Sequence, residues 1–216
     1  MWMSLVLPML FPFILQTNVQ PASKSYSQLL FSGSISLENR HENKYVNDVF
    51  KDNILLSLAY MRGMIDDKYK ISWDNVRQEF KYSLTLSPNT TFAFHEDVLS
   101  KYKNTLSATT KAHFNYQEGF KSDGYLVGDG VCHLASLIYW VSNQAGLDAY
   151  APTSHNFARI PEIEREFGVS IYSMPGNIYA NSLQNIYVTN DRENSVVFEF
   201  DYDGKRLKLS IYEEPA

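Results

Sequence analysis

Apolar positions recur at helical spacing in two stretches of the chain. In NILLSLAYMRGMIDD, Ile54, Leu55, Leu58, Met61 and Ile65 share one face, and Asp52 or Asn53 is placed to cap the helix they predict. The second stretch is sharper: Val131, Leu134, Ala135, Ile138, Val141 and Ala145 repeat at spacings that predict a buried helix over residues 131–145. It is opened by the glycine-bracketed turn VGDG and closed by Gly146, which stands where a left-handed C-terminal cap is wanted. A shorter helix is expected from Ser72 through WDNVRQEF. Elsewhere the period is two. LTLSPNTTFAF reads as strand, turn, strand about Ser87-Pro88-Asn89, while NIYVTN, SVVFEFDY and KRLKLSIY predict a closing β meander with a tight turn at Asp203-Gly204. Residues 24–44 and 97–123 are polar and aperiodic, so the former read as a linker or irregular lead-in. The fold class that follows is α+β, with a buried central helix starting at Cys132 and packed on a mainly antiparallel sheet.

The first residues differ from all of this. Residues 2–15, WMSLVLPMLFPFIL, are uncharged and apolar and give way to polar QTNVQPASKS, the outline of an export signal or short membrane-associated segment over residues 1–23. The run is too short to span a bilayer comfortably, which takes about 20 apolar residues. Pro8 and Pro12 interrupt it, and no Lys or Arg precedes it. The alternative is a buried N-terminal segment of the fold. Export to the cell envelope or beyond is the expectation, with membrane association through this segment as a variant of it.

Composition narrows the classes of function. A formal charge of -5 argues against a surface that tracks nucleic-acid phosphates. A single cysteine forbids an intrachain disulfide, and with scattered histidines it gives no recognisable zinc-ligand spacing, so no metal and no cofactor is expected. In an exported protein, an unpaired thiol needs a reason to be kept, and reactivity is one.

Cys132 falls in the first turn of the predicted helix, directly after Gly128-Asp129-Gly130. Helix N-termini present unpaired N–H groups and positive partial charge, which stabilise a thiolate and can serve an oxyanion. Cys132 shares a helical face with Ser136, Tyr139 and Asn143, away from the apolar stripe, which favours a wet surface or a cleft. The competing reading is a small buried cysteine with no chemistry. A nucleophile needs a base. His133 is adjacent but diverges by about 100° on a helix, whereas His155, in the loop SHNF, can be brought back by a returning strand. A loop histidine bound to backbone or solvent is the alternative for His155, and His95 and His113 read as surface residues.

The segment VGDGVCHLASLIYWVSNQAGL resembles the VanW-like family, whose mark is a glycine-rich turn, then Gly-Val-Cys-Gln, then a helix ending in Ala-Gly-Leu. SPNTTFAFHEDVL is similar to that family's Pro-Gly-Glu-Thr-Phe-Ser-Phe-Asn segment, Gly124-Tyr125 matches its Gly-Tyr pair, and Ser154-His155 falls at its His-Pro-His-Ser stretch. The resemblance covers about residues 73–212 and divides the chain into a leader over 1–23, a linker and helical lead-in over 24–72, and the VanW-like domain over 73–216. Three positions depart from the pattern: Asp129 replaces a glycine, His133 replaces glutamine, and Thr153 stands at the first histidine. The order Gly-x-Cys, Ala-Gly, loop His is also shared with transglutaminase-like thiol enzymes, by analogy of fold alone.

Some VanW-like proteins are linked to peptidoglycan L,D-transpeptidation through the motif cysteine. Carried over, this implies Cys132 as nucleophile, His155 as general base, and Gly130, Asp129 and His133 as the motif loop or oxyanion region. The implied partners are peptidoglycan stem peptides, with no nucleic acid. Arg159, Asn156 and Tyr139 are candidate substrate contacts, Lys121 is a second candidate for a stem carboxylate, and Asn156, Asp148 and Asp129 are candidates to orient the base. Two other readings stay open: a thiol peptidase using the same residues, and a non-catalytic envelope module that binds peptidoglycan or a partner through aromatic strand faces.

Overall fold

The computed structural model describes residues 28–65, 67–155 and 160–215. The chain folds as an α+β domain of two four-stranded sheets packed about a central helix. The first sheet is antiparallel throughout, in the order β1 (Gln28–Ser36), β8 (Arg206–Glu213), β7 (Val196–Tyr202), β2 (Phe80–Leu86). The second has the order β4 (Leu106–Thr109), β3 (Thr91–Ala93), β6 (Tyr187–Thr189), β5 (Asp148–Tyr150), with only β3 and β4 running parallel. The C-terminal strand meander is present, its last two strands joined at Asp203-Gly204. Its first strand, β6, hydrogen-bonds into the second sheet. Likewise β2 and β3 follow one another across Ser87-Pro88-Asn89 but enter different sheets.

The central helix α3 (Val131–Gln144) ends at Gly146, whose φ of 75° is the left-handed cap conformation. Its stripe of Val131, Leu134, Ala135, Ile138, Val141 and Ala145 is buried, together with Leu137. Each large aliphatic side chain among them contributes about 1.5–3 kcal/mol by leaving water. They pack with Leu207, Leu209 and Ile211 of β8, Phe198 and Phe200 of β7, and Ile54, Leu55 and Leu58 of α1 (Lys44–Met61) in one core. The helix lies so close to β1 that a Cβ at Gly33 would fall 2.4 Å from the Trp140 ring.

Three sequence expectations need correction. The segment 24–44 is no linker from residue 28 on: β1 supplies an edge strand paired with β8 along its whole length, and Ile35 and Leu37 are in the core. Side chains from both sides of residue 72 are buried in the same cluster. Helix α1 starts at Lys44, with Asn43 as its cap accepting from the Tyr45 and Val46 N–H groups, so Asp52 and Asn53 lie buried in mid-helix. The third concerns His95, which is buried against Phe114 rather than on the surface. The short helix α2 (Trp73–Val76) does begin after Ser72, whose hydroxyl accepts from the Asn75 N–H, and ends within one turn. The last helix, α4 (Ile178–Leu183), precedes β6. The leader over 1–23 lies outside the described residues, and among the described residues no helix is long and apolar enough to cross a membrane.

Candidate active site

The glycine turn before α3 is held from below by α1. Asn53, fully buried, donates through Nδ2 to the carbonyls of Asp129 (2.8 Å) and Lys121 (3.0 Å), and its Oδ1 accepts from the Lys121 N–H (2.8 Å). Gly130 forms the N-cap at φ 91°, and a Cβ there would meet the Phe50 Cα at 2.6 Å. Only glycine satisfies both the left-handed backbone and the close approach to α1. This fastening sets the start of α3, and hence Cys132, against one wall of a cavity of about 490 Å³. The same cavity is lined by Asp129, Gly130, His133 and His155 from the sequence motifs, and by Arg40, His41, Phe50, Leu126 and the segment Ser170-Ile171-Tyr172.

His155 lies on a returning extended segment. Its N–H donates to the Gly168 carbonyl (2.8 Å), and Ser154 bridges Val169 in antiparallel fashion. Gly168 is required here because a Cβ would lie 2.8 Å from the His155 carbonyl oxygen. Ser136, one turn along α3 from Cys132, ties the returning segment down by accepting from the Val169 N–H at 2.9 Å. The face shared by Cys132 and Ser136 is thus a roofed cleft rather than an open wet surface. Tyr139 does not belong to it: two turns, about 10 Å, farther along the helix, its ring packs against Phe167. Asp148, in β5, is exposed and does not line the cavity. Arg159 and Asn156 lie outside the described residues.

The electrostatics of the thiol reverse the expectation from the helix terminus. The backbone N–H groups of Cys132, His133 and Gly130 do act to stabilise a thiolate. Desolvation of the half-buried thiol, helped by the nearby Asp129 charge, outweighs them and pushes it up to about 12. Burial likewise raises Asp129, to about 6, with Asp123 adding repulsion while its N–H partly offsets the rise through a 3.0 Å bond to Oδ2. His133 and His155 are both pulled down. His133 falls to about 3, from burial first and then from the proximity of Arg40 and His155, and His155 falls below its usual range by burial. Near neutral pH these directions leave the Cys132 thiol protonated and the His133 and His155 imidazoles neutral.

His133 is 6% exposed, sits edge-on to Phe50 at 5.3 Å, and its Nδ1 has no hydrogen-bond partner. Arg40 was not a candidate on sequence, because it lies in a polar stretch without periodicity. In the fold its backbone N–H donates to Asn47 Oδ1 on α1 (2.6 Å), and Nη2 donates to Asn39 Oδ1 (2.9 Å) and to Glu162. Lys121, the other expected carboxylate partner, faces elsewhere. Its ammonium is held by Asp52 and lies 3.8 Å over the Trp73 ring, in a second and larger groove of about 600 Å³. That groove carries less chemistry despite its size, since its Arg77 and Lys121 are both already paired with Asp52.

Among the described residues no group of three or more His, Cys, Asp or Glu side chains is arranged to hold a metal ion. Compared with protein-family models, curated proteins and solved structures, the chain matches none.

Proposed function

We propose that the protein is a cell-envelope cysteine acyltransferase acting on peptidoglycan stem peptides, with Cys132 as nucleophile and His155 as general base. The observation that carries this is that Cys132 and His155, 23 residues apart, line one cavity with the glycine turn. A neutral imidazole beside a protonated thiol suits general-base attack rather than a preformed ion pair. The Cys132 sulfur bonds to the scissile carbonyl carbon as His155 takes the thiol proton. The oxyanion that forms is stabilised by the dipole of α3 and the Cys132 N–H in its first turn. Collapse breaks the C–N bond, and His155 returns the proton to the departing amine, leaving a thioester. An amine of a second stem then attacks, His155 takes its proton and passes it to the departing sulfur. The new amide is released and the thiol restored.

If water replaces the amine, the same steps give a thiol peptidase. The raised thiol pKa favours a different second reading, a binding module with an inert cysteine. Intact-protein mass spectrometry of the full chain with tetrapeptide muropeptides, beside Cys132→Ala, separates them. The acyltransferase gives an acyl adduct on Cys132 and cross-linked dimer. An adduct with trimmed monomer alone indicates hydrolysis, and no adduct with any stem type in a folded protein supports the binding module.

A further inference from the structure

A guanidinium carries five N–H donors and needs acceptors for them when it is taken out of water. The Arg40 side chain is fully buried, yet both of its side-chain partners, Asn39 and Glu162, engage Nη2 alone. Nε and Nη1 are buried with no hydrogen-bond partner. Arg40 is among the residues lining the Cys132 cavity, and its charge lies near His133, whose Nδ1 is also without a hydrogen-bond partner. Two carboxyl groups stand nearby. Glu162 is already on Nη2 and also accepts from the Ser36 N–H (3.2 Å), while Asp129 is engaged by the Asp123 N–H. Neither supplies the missing acceptors. Buried donors of a charged group left open in this way are costly to keep, which points to an acceptor that arrives with a ligand.

We propose that Arg40 is the carboxylate-binding residue of the Cys132 cavity, so that the acyl donor presents a free C-terminal carboxylate close to its scissile carbonyl. Resting on the acyl-transfer reading, this names its substrate class: the enzyme removes a terminal amino acid from a peptide end and does not cut within a longer chain. An internal peptide bond offers no anion for Arg40, whereas the terminal residue of a stem does. Arg40 and Glu162 also join the lead-in to the loop that follows His155, so binding at Arg40 bears on the segment carrying the base.

The test uses the full chain bearing Cys132→Ala, so that binding is read apart from chemistry, with N-acetyl-L-alanyl-D-alanine and its carboxamide as probes in isothermal titration calorimetry. The acid should bind at least about tenfold more tightly than the amide, the size expected for hydrogen bonds to a charged group. Adding Arg40→Gln should bring the ratio to about one. Because that change could disturb folding, Glu162→Gln provides an independent arm: it keeps Arg40, removes the competing carboxylate, and should raise the preference for the acid. Equal binding of acid and amide, no binding of either, or a preference that survives Arg40→Gln in a folded protein would overturn the proposal. Carboxylate preference in a protein that forms no acyl adduct would instead retain this site and defeat the acyltransferase reading.

Discussion

Phe50 and Asp52 lie two residues apart on α1 and look onto different cavities. On the Asp52 side, Arg77 donates through Nε and Nη2 to the two carboxylate oxygens at 2.8 Å each, and Lys121 closes the cluster. Burial works to raise the Asp52 pKa, but the hydrogen bonds from Arg77 and Lys121 outweigh it and hold the carboxyl below its usual range. On the Phe50 side the balance runs the other way. Arg40 has open donors, Asp129 is raised, and Cys132, His133 and His155 are pushed toward their neutral forms. A cluster whose charges satisfy one another fastens the fold. One whose groups stay desolvated and partly unmatched is costly to fold and is where a ligand gains most.

Substitutions should expose that contrast, and the largest effect is expected where the two sides meet. Gly130→Ala places a Cβ against the Phe50 backbone at a left-handed φ, and should destabilise by about 3 kcal/mol in chemical denaturation, through strain and overpacking together. Next, Asp52→Ala leaves Arg77 and Lys121 unmatched. Because both are partly exposed, the loss should be about 2 kcal/mol, below that of a fully buried pair. Arg40→Met should cost less than about 1 kcal/mol, since it removes unsatisfied donors along with the ion pair, and Glu162 can hydrate. Comparable losses for Asp52→Ala and Arg40→Met would erase the distinction between the two clusters.

Acid separates the regions further. His133 has a folded pKa of about 3 against 6.5 unfolded, so it withdraws stability as pH falls below 6.5 toward 3. Asp129, raised from 3.8 to about 6, works against it by relieving a folding penalty as pH falls from 6 toward 3.8. Asp52 is depressed, so its contribution is present above 3.8 and is lost only as pH falls through its lower folded value. Denaturation of His133→Gln should therefore show a shallower loss of stability between pH 6.5 and 4 than the parent, whereas Asp52→Ala should match the parent's slope there and differ below. The smallest effect sought is electrostatic. Asp129→Asn removes one of the two causes of the raised thiol pKa and should move the alkylation midpoint of Cys132 down without bringing it to an unperturbed value, because desolvation, the larger cause, remains.

What the sequence made legible was local. The apolar stripe of α3, its Gly130 opening and its Gly146 stop are all carried by residues within one helix length, and they appear as read. The pairing of Cys132 with His155 in one cavity rested on a resemblance and on the topology a returning strand allows. Lost were features decided at long range. β1 exists because β8, more than 170 residues on, completes its ladder. Arg40 is buried because Glu162, 122 residues away, meets it, and no local pattern marks such a guanidinium. In the first turns of α1, Tyr45, Val46, Val49 and Phe50 are interleaved with Lys44, Asn47, Asp48 and Lys51, a weaker signal than the apolar run from Ile54 that marks its second half. For Cys132 the helix N–H groups were foreseen correctly in kind, but burial and Asp129, which a linear reading cannot weigh, exceed them.

The central claim is that this thiol stays protonated until a bound acyl donor and His155 meet it together. The direct measurement is to follow, across pH in the same full-length protein, both iodoacetamide alkylation of Cys132 and formation of the muropeptide acyl adduct by intact mass. Alkylation should remain slow through pH 9 and climb only above it, with the thiol pushed up to about 12. Acyl-adduct formation should instead rise as His155 loses its proton below 6.5, level off by neutral pH, and be lost in His155→Gln. An adduct whose formation merely tracks the alkylation curve, or that survives loss of His155, would contradict the account.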